Sequence, residues 1–249
     1  MSINDPQDLE PITARAWPAA RQRRLGDWTL YATEGHSLRI NSCWVSGEPG
    51  LGLQAALDEV EAWYERQDRA AIFKCAYGAG SDQPLAQALM DRGYVCGKET
   101  LVMVGPITGA AVDDEVSVSS RLDAVFGAVF AATATDPADS AERLAALGRI
   151  PGPRFFARLE VAGQPAAIGA SAVEGQWAGI FGMRTTPTYR RQGYGARILE
   201  TLLAKARQAG ATKAYLQVEA ANLGAIPIYQ RAGFEVAYRY CYWTRLAAH

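Results

Sequence analysis

The chain has 249 residues, 49% hydrophobic and 20% charged, which is enough apolar material for a sizeable core and argues against wholesale disorder. A net charge of −1 disfavours a general nucleic-acid binder, and two histidines, His36 and the terminal His249, cannot supply a catalytic triad or a multi-histidine metal site. No apolar stretch follows a basic segment as in a secretion signal, and the apolar run Ala124–Ala132 falls far short of the roughly 18 residues of a membrane span, so a cytoplasmic protein with no membrane partner is expected.

In chain order, Trp28–Ala32 and Leu38–Val45 read as strands around a turn at Glu34–Gly35. After the breaker Gly47-Glu48-Pro49-Gly50, residues Leu53, Ala56, Leu57, Val60 and Tyr64 recur at helical spacing and predict an amphipathic helix. Ala70–Ala76 reads as a short buried strand, Gln83–Asp91 as a helix ending at Gly93, and Leu101–Val104 as a strand. The second half predicts helices near Arg121–Thr133 and Ala141–Leu147. A meander of Phe155–Val161, Pro165–Val173 and Trp177–Thr185 comes next, with turns at Ala162–Gly163 and Glu174–Gly175. A glycine-rich turn then leads into a helix carrying Leu199, Leu202, Leu203 and Ala206 and closed by Gly210; strand Tyr215–Val218, helix Ala225–Arg231 and strand Phe234–Trp243 complete the chain.

The halves repeat one order of elements at a shift of 140 residues, which places Gly93-Tyr94 on Gly233-Phe234 and the helix at Leu53 on the one at Gly193. The expected fold is mixed α+β: two similar halves, each a central, mostly antiparallel sheet flanked by helices. The boundaries are residues 1–105 for the first half, 106–120 for a linker rich in Gly, Asp and Ser, and 121–249 for the second half. Charge divides between them. Residues 1–124 carry 11 basic and 18 acidic groups, whereas residues 125–249 carry 14 and 8, suggesting that the second half meets an anion. Cys43, Cys75, Cys96 and Cys241 form no CxxC pair and are expected to be reduced core thiols.

The informative stretch is Arg190-Arg191-Gln192-Gly193-Tyr194-Gly195-Ala196, between a strand and a helix. Two glycines let a ligand approach the backbone, and the first helical N–H groups have no internal partners. With the helix dipole and two arginines they suit a phosphate or pyrophosphate. Ile198 stands where a dinucleotide fingerprint needs its third glycine, and no Gly-Lys-Ser/Thr loop is present.

Here the chain resembles the GCN5-related N-acetyltransferases. Arg190-x-x-Gly193-x-Gly195 matches that family's turn, and Gln217-Val218-Glu219, Asn222, Ile228-Tyr229 and Ala232-Gly233-Phe234-Glu235 match the family's downstream pattern. The resemblance covers about Phe155–Trp243. It implies acetyl-CoA as co-substrate and no metal. The acceptor it implies is a small-molecule or peptide amine, which the acidic first half suggests is cationic. By the same resemblance, residues Arg190–Ala196 cradle the pyrophosphate, Met183 and Thr185 offer strand backbone to the pantetheine arm, and Asn222 touches that arm or caps the next helix. Tyr229 protonates the departing thiolate, and Glu219, or else Glu174, serves as base for the amine. The first half resembles a decayed copy: Glu48 and Pro49 precede its glycines, Asp82 falls on Asn222 and Leu89 on Tyr229. An acyl-CoA-binding module without turnover, or transfer of another acyl chain or to another acceptor, remains open, as does monomer against homodimer. The aromatic residues Tyr238, Tyr240, Tyr242 and Trp243 are read as packing.

Overall fold

The computed structural model describes residues 6–76, 83–133 and 137–245; Asp82 and His249 lie outside the described residues. The first half runs α1 (Pro6–Ala16), β1 (Arg21–Leu25), β2 (Trp28–Ala32), β3 (Cys43–Val45), α2 (Leu53–Glu65), β4 (Ile72–Ala76), α3 (Gln83–Asp91) and β5 (Tyr94–Pro106). The second runs β6 (Val116–Ser119), α4 (Ala124–Ala132), α5 (Pro137–Gly148), β7 (Arg154–Val161), β8 (Gln164–Glu174), β9 (Trp177–Thr185), α6 (Tyr194–Gln208), β10 (Lys213–Glu219), α7 (Ile226–Arg231) and β11 (Glu235–Arg245).

Helix α2 buries Ala56, Leu57, Val60 and Tyr64, the stripe its spacing predicts, and α6 likewise buries Leu199, Leu202, Leu203 and Ala206. The expected strand Leu38–Val45 is divided: Leu38–Ile40 is a 3-10 turn and only Cys43–Val45 is strand. Buried Asn41 is the reason. Its side chain accepts from the Thr33 N–H at 2.8 Å and donates to the Gly35 and Ser37 carbonyls at 3.0 Å, tying a turn in place of a ladder. The exposed, arginine-rich β1 has little apolar periodicity, and the Val-Ser-Val-Ser strand β6, which does alternate but over four residues only, forms within residues 106–120, the expected linker.

All eleven strands join one sheet in the order β1-β2-β3-β4-β11-β5-β10-β9-β8-β7-β6. Pairing is antiparallel except at β3/β4 and β9/β10, the parallel pair of each half. The last strands cross over. Strand β5 of the first half lies along β10 from Lys213↔Pro106 to Glu219↔Thr100, while β11 of the second half lies along β4. The two exchanged strands also pair with each other at the centre. Gly93 and Gly233, with φ of +80° and +84°, enter them from equivalent left-handed turns, in keeping with the 140-residue shift.

Helices α2, α3, α6 and α7 pack on one face of the sheet; α1, α4 and α5 pack on the other. Where α1 crosses the exchanged strands, buried Glu10 meets buried Lys74 at 2.6 Å and accepts from the Tyr238 hydroxyl at 2.6 Å. The Lys74 ammonium sits 4.8 Å above the Trp44 ring and 4.1 Å from that of Tyr240. The cysteine expectation is corrected in part. Cys96 and Cys241 form a disulfide between β5 and β11, whereas Cys43 and Cys75 are buried in the core beneath α2. Strand exchange brings Cα atoms separated by 145 residues to 6.3 Å, a proximity that sequence spacing does not reveal.

Because β11 finds its ladder partners in β4 and β5, residues 121–249 alone leave its edges unpaired. This fragment is expected to aggregate or associate through β11, as read by gel filtration. A monodisperse monomer with amide-exchange protection along β11 would contradict the exchange.

Candidate active site

Strands β9 and β10 pair from Trp177↔Lys213 to Ile180↔Leu216, and then part. The cause lies on the other side of β9. Ala170 opposes Phe181 and Ile168 opposes Arg184, so Gly169 alone faces Gly182-Met183 across a bulge, with Gly182 at φ +57°. The bulge turns β9 aside while β5 holds the far edge of β10 straight. The cavity left behind has a volume of about 470 Å³, and Met183, Glu219, Asn222 and Tyr229 line it together.

The glycine turn adjoins this cleft. Arg191 and Gly193 both take left-handed φ, +61° and +85°, and Gly193 caps α6. Ala196 and Arg197 donate to the Gly193 carbonyl at 3.0 and 3.2 Å; Tyr194 and Gly195 precede them and have no carbonyl one turn back to receive their N–H groups. A Cβ at Gly195 would lie 3.7 Å from Thr185 Oγ1 and 3.9 Å from Ile228 Cδ1. These are ordinary contact distances beside the end of β9, whereas a Cβ at Gly193 would meet nothing within 4 Å, so open space sits over that end of the turn. Arg190, Arg191 and Gln192 are exposed; Arg190 Nε donates to the Thr185 carbonyl at 3.3 Å and Gln192 Nε2 to the Thr188 carbonyl at 3.1 Å.

Tyr229 is buried on α7, its ring 6.3 Å from Phe234, and no described residue hydrogen-bonds its hydroxyl. Burial alone pushes its pKa up to about 12. The Asn222 side-chain oxygen Oδ1 accepts from the Ala225 N–H at 3.2 Å, in the turn that leads into α7, whose N-cap is Ala225. Exposed Glu219 ends β10 in the cleft without a described ion-pair partner. Glu174 is elsewhere, at the β8–β9 turn, where Arg15 holds it at 2.6 Å.

Comparison with known proteins gives the family and the fold. The family model "Probable histone acetyltransferase Rv0428c C-terminal" matches residues 4–243. The chain belongs to this family. It is a GCN5-related N-acetyltransferase by family and by fold. "Uncharacterized N-acetyltransferase YobR" of Bacillus subtilis (strain 168) is 23% identical over 244 residues, covering 93% of this chain and 95% of the relative. The "[Ribosomal protein bS18]-alanine N-acetyltransferase" of Escherichia coli (strain K12) is 35% identical over 75 residues, 30% of this chain and 51% of that one. A solved GCN5-related N-acetyltransferase from Kribbella flavida superposes with a TM-score of 0.69 at 18% identity, over 100% of this chain and 98% of that one.

The acetyltransferase also brings residues into the cleft that the motif does not contain. Arg39 arrives on the 3-10 turn, Lys98 and Thr100 on β5, Arg184 on β9, and Tyr240 and Tyr242 on β11. The two tyrosines pack as expected and also wall the cleft, where the Tyr240 hydroxyl donates to Gln217 Oε1 at 2.9 Å. One signal was available for Arg184, a lone charge in the apolar strand Trp177–Thr185; Arg39 and Lys98 come into reach only through tertiary pairing.

The raised Tyr229 pKa carries a sign. The folded state keeps the proton through pH values at which an ordinary phenol, near about 10, loses it. Stability from this group is therefore complete below about pH 10 and falls as pH rises toward 12. In absorbance titration between about pH 9 and 11, the acetyltransferase and Tyr229→Phe should form the same amount of phenolate. An excess of one phenolate in the unsubstituted protein with a midpoint near about 10 would contradict the desolvated site.

Proposed function

We propose that this acetyltransferase uses acetyl-CoA and passes the acetyl group directly to a primary amine. One observation carries the reading: a gap of about 470 Å³ between β9 and β10 contains the unpartnered Tyr229 hydroxyl and lies beside the helix start at Gly193, whose first N–H groups have no internal partner. Acetyl-CoA supplies the activated thioester. The chain's part is to bind, orient and move protons.

Gly193–Ala196 offers backbone donors and the positive end of a 15-residue helix to the pyrophosphate, with Arg190 and Arg191 exposed beside it. The unpaired edge of β9 at Met183 and Thr185 offers N–H and C=O groups to the pantetheine amides, as a missing strand would. The Asn222 side chain, its oxygen committed to the Ala225 N–H, has its amide nitrogen left for the same arm. Tyr229 stays protonated and donates to the sulfur as the C–S bond breaks, the proton passing to the thiolate. Transfer from a phenol of pKa about 12 is uphill in the free enzyme, so the donor acts as the thiolate charge develops and not before. Glu219 takes one proton from the incoming ammonium, directly or through one water, and the second proton that nitrogen loses after attack returns to Tyr229 through solvent, restoring the phenol.

Two variants separate binding from chemistry. Gly195→Val has room in the fold but fills the space over the turn; it is expected to abolish acetyl-CoA binding while keeping the melting temperature within a few degrees. Tyr229→Phe should leave acetyl-CoA affinity nearly unchanged and lower kcat about 10²–10⁴-fold. Undiminished binding by the first variant, or undiminished kcat in the second when chemistry limits turnover, would overturn the respective assignment.

A further inference from the structure

We propose that the acceptor carries an anionic group, a carboxylate foremost, beside its amine, and that Arg39 and Arg184, with Lys98, receive it. The proposal rests on the acetyl-transfer reading and concerns the other end of the same cleft.

The walls there are rich in donors and poor in acceptors. Arg39, Lys98 and Arg184 line the cavity without an ion-pair partner among the described residues, and Glu219 is the carboxylate that lines it with them. Arg143 differs, being held by Asp139 at 2.5 Å. Arg39 lies 5.8 Å from the Trp17 ring centroid, with Tyr240 and Tyr242 as further neighbours in the cavity wall. Arg184 Nη1 donates to the Thr133 carbonyl at 3.1 Å, and its guanidinium lies 4.6 Å over Phe130. Burial first, and then the neighbouring Arg143, lower the Arg184 pKa against the weaker opposing pull of Asp139, whose carboxylate is bonded to Arg143. Lys98 stands at φ +52° where the β5–β11 register shifts, a strained bulge of the kind that re-aims a side chain. Two further lining residues, Trp17 and Gln217, bury the donors Nε1 and Nε2 without an acceptor.

These cations stand apart from the cofactor turn. Along β9 the Thr185 side chain faces Gly195 on the α6 side, so strand alternation turns Arg184 to the opposite face, against α4. An ammonium ion alone would be repelled by such a wall. An acceptor bearing an anion is attracted by its second group, and the same cations favour the neutral form of the amine that attacks. The first half thus supplies a basic wall to the cleft even though its overall charge is acidic, which reverses the expectation of a simple cationic acceptor.

The test is thiol release from acetyl-CoA with matched amines: phenylalanine, phenylalaninamide and phenethylamine, and phosphoethanolamine against ethanolamine. The anionic member of a set is expected to lead in kcat/KM by about 10- to 100-fold, the scale of a hydrogen-bonded charge. A lead in both sets, or in one, supports the proposal and says whether carboxylate, phosphate or both fit. Arg39→Gln, and independently Arg184→Gln should the first variant fail to fold, should shrink that preference toward unity while acetyl-CoA affinity stays unchanged. Equal or better turnover of the neutral amines overturns the proposal but leaves acetyl transfer standing. So does a preference that survives both substitutions. Loss of acetyl-CoA affinity in these variants also overturns it, since the cations would then belong to the cofactor. No acetyl-CoA binding and no thiol release with any amine would instead fail the functional reading and this proposal with it.

Discussion

The exchange of final strands is the constraint on which the rest depends. With β5 along β10 and β11 between β4 and β5, neither half closes its own sheet. Strand β10 is held on one edge by the first half, which leaves its other edge free to diverge from β9 and open the cleft. The crossing also buries the ion pair of Glu10 and Lys74, each under 6% exposed in its side chain. Such a pair contributes little against an apolar replacement of both members, yet removing one partner typically costs about 3–5 kcal/mol because the other charge stays buried. Helix α1 is thereby tied to the place where the halves interlock.

Both halves open a helix with unpaired N–H groups, but left-handed strain at a non-glycine residue before the cap occurs only in the second half's turn among the described residues. Arg191 holds a left-handed φ before Gly193, a conformation costing on the order of 1–3 kcal/mol unless the surroundings enforce it. The matching cap in the first half is Gly52, at an ordinary φ of −59°, with Glu48 and Pro49 before it. A carboxylate repels phosphate and proline removes a backbone donor. Strand β3 has three residues, all in register with β4, so no comparable gap opens beside it.

The parts legible in the sequence were those with local causes. Helical stripes placed α2 and α6, and the glycines at 93, 193 and 233 marked turns that the structure confirms with positive φ. The turn pair Ala162-Gly163 stands at φ +50° and +74° between β7 and β8. The motif residues Met183, Glu219, Asn222 and Tyr229 converge because they lie on adjacent elements of one half. Non-local features left no such trace. Strand exchange, the Cys96–Cys241 bond and the entry of Arg39 and Lys98 into the cleft all require pairing across more than a hundred residues, for which periodicity holds no signal. Glu174 looked as eligible as Glu219 in sequence; its position at a hairpin tip, beside Arg15, removes it.

The proposed acetyl-CoA site is one per chain, formed at the Gly193 turn and the β9–β10 gap and completed by the first half. Calorimetric titration of the full chain with acetyl-CoA tests it most directly. A stoichiometry near one per chain is predicted, whereas two equivalent sites per chain would contradict it.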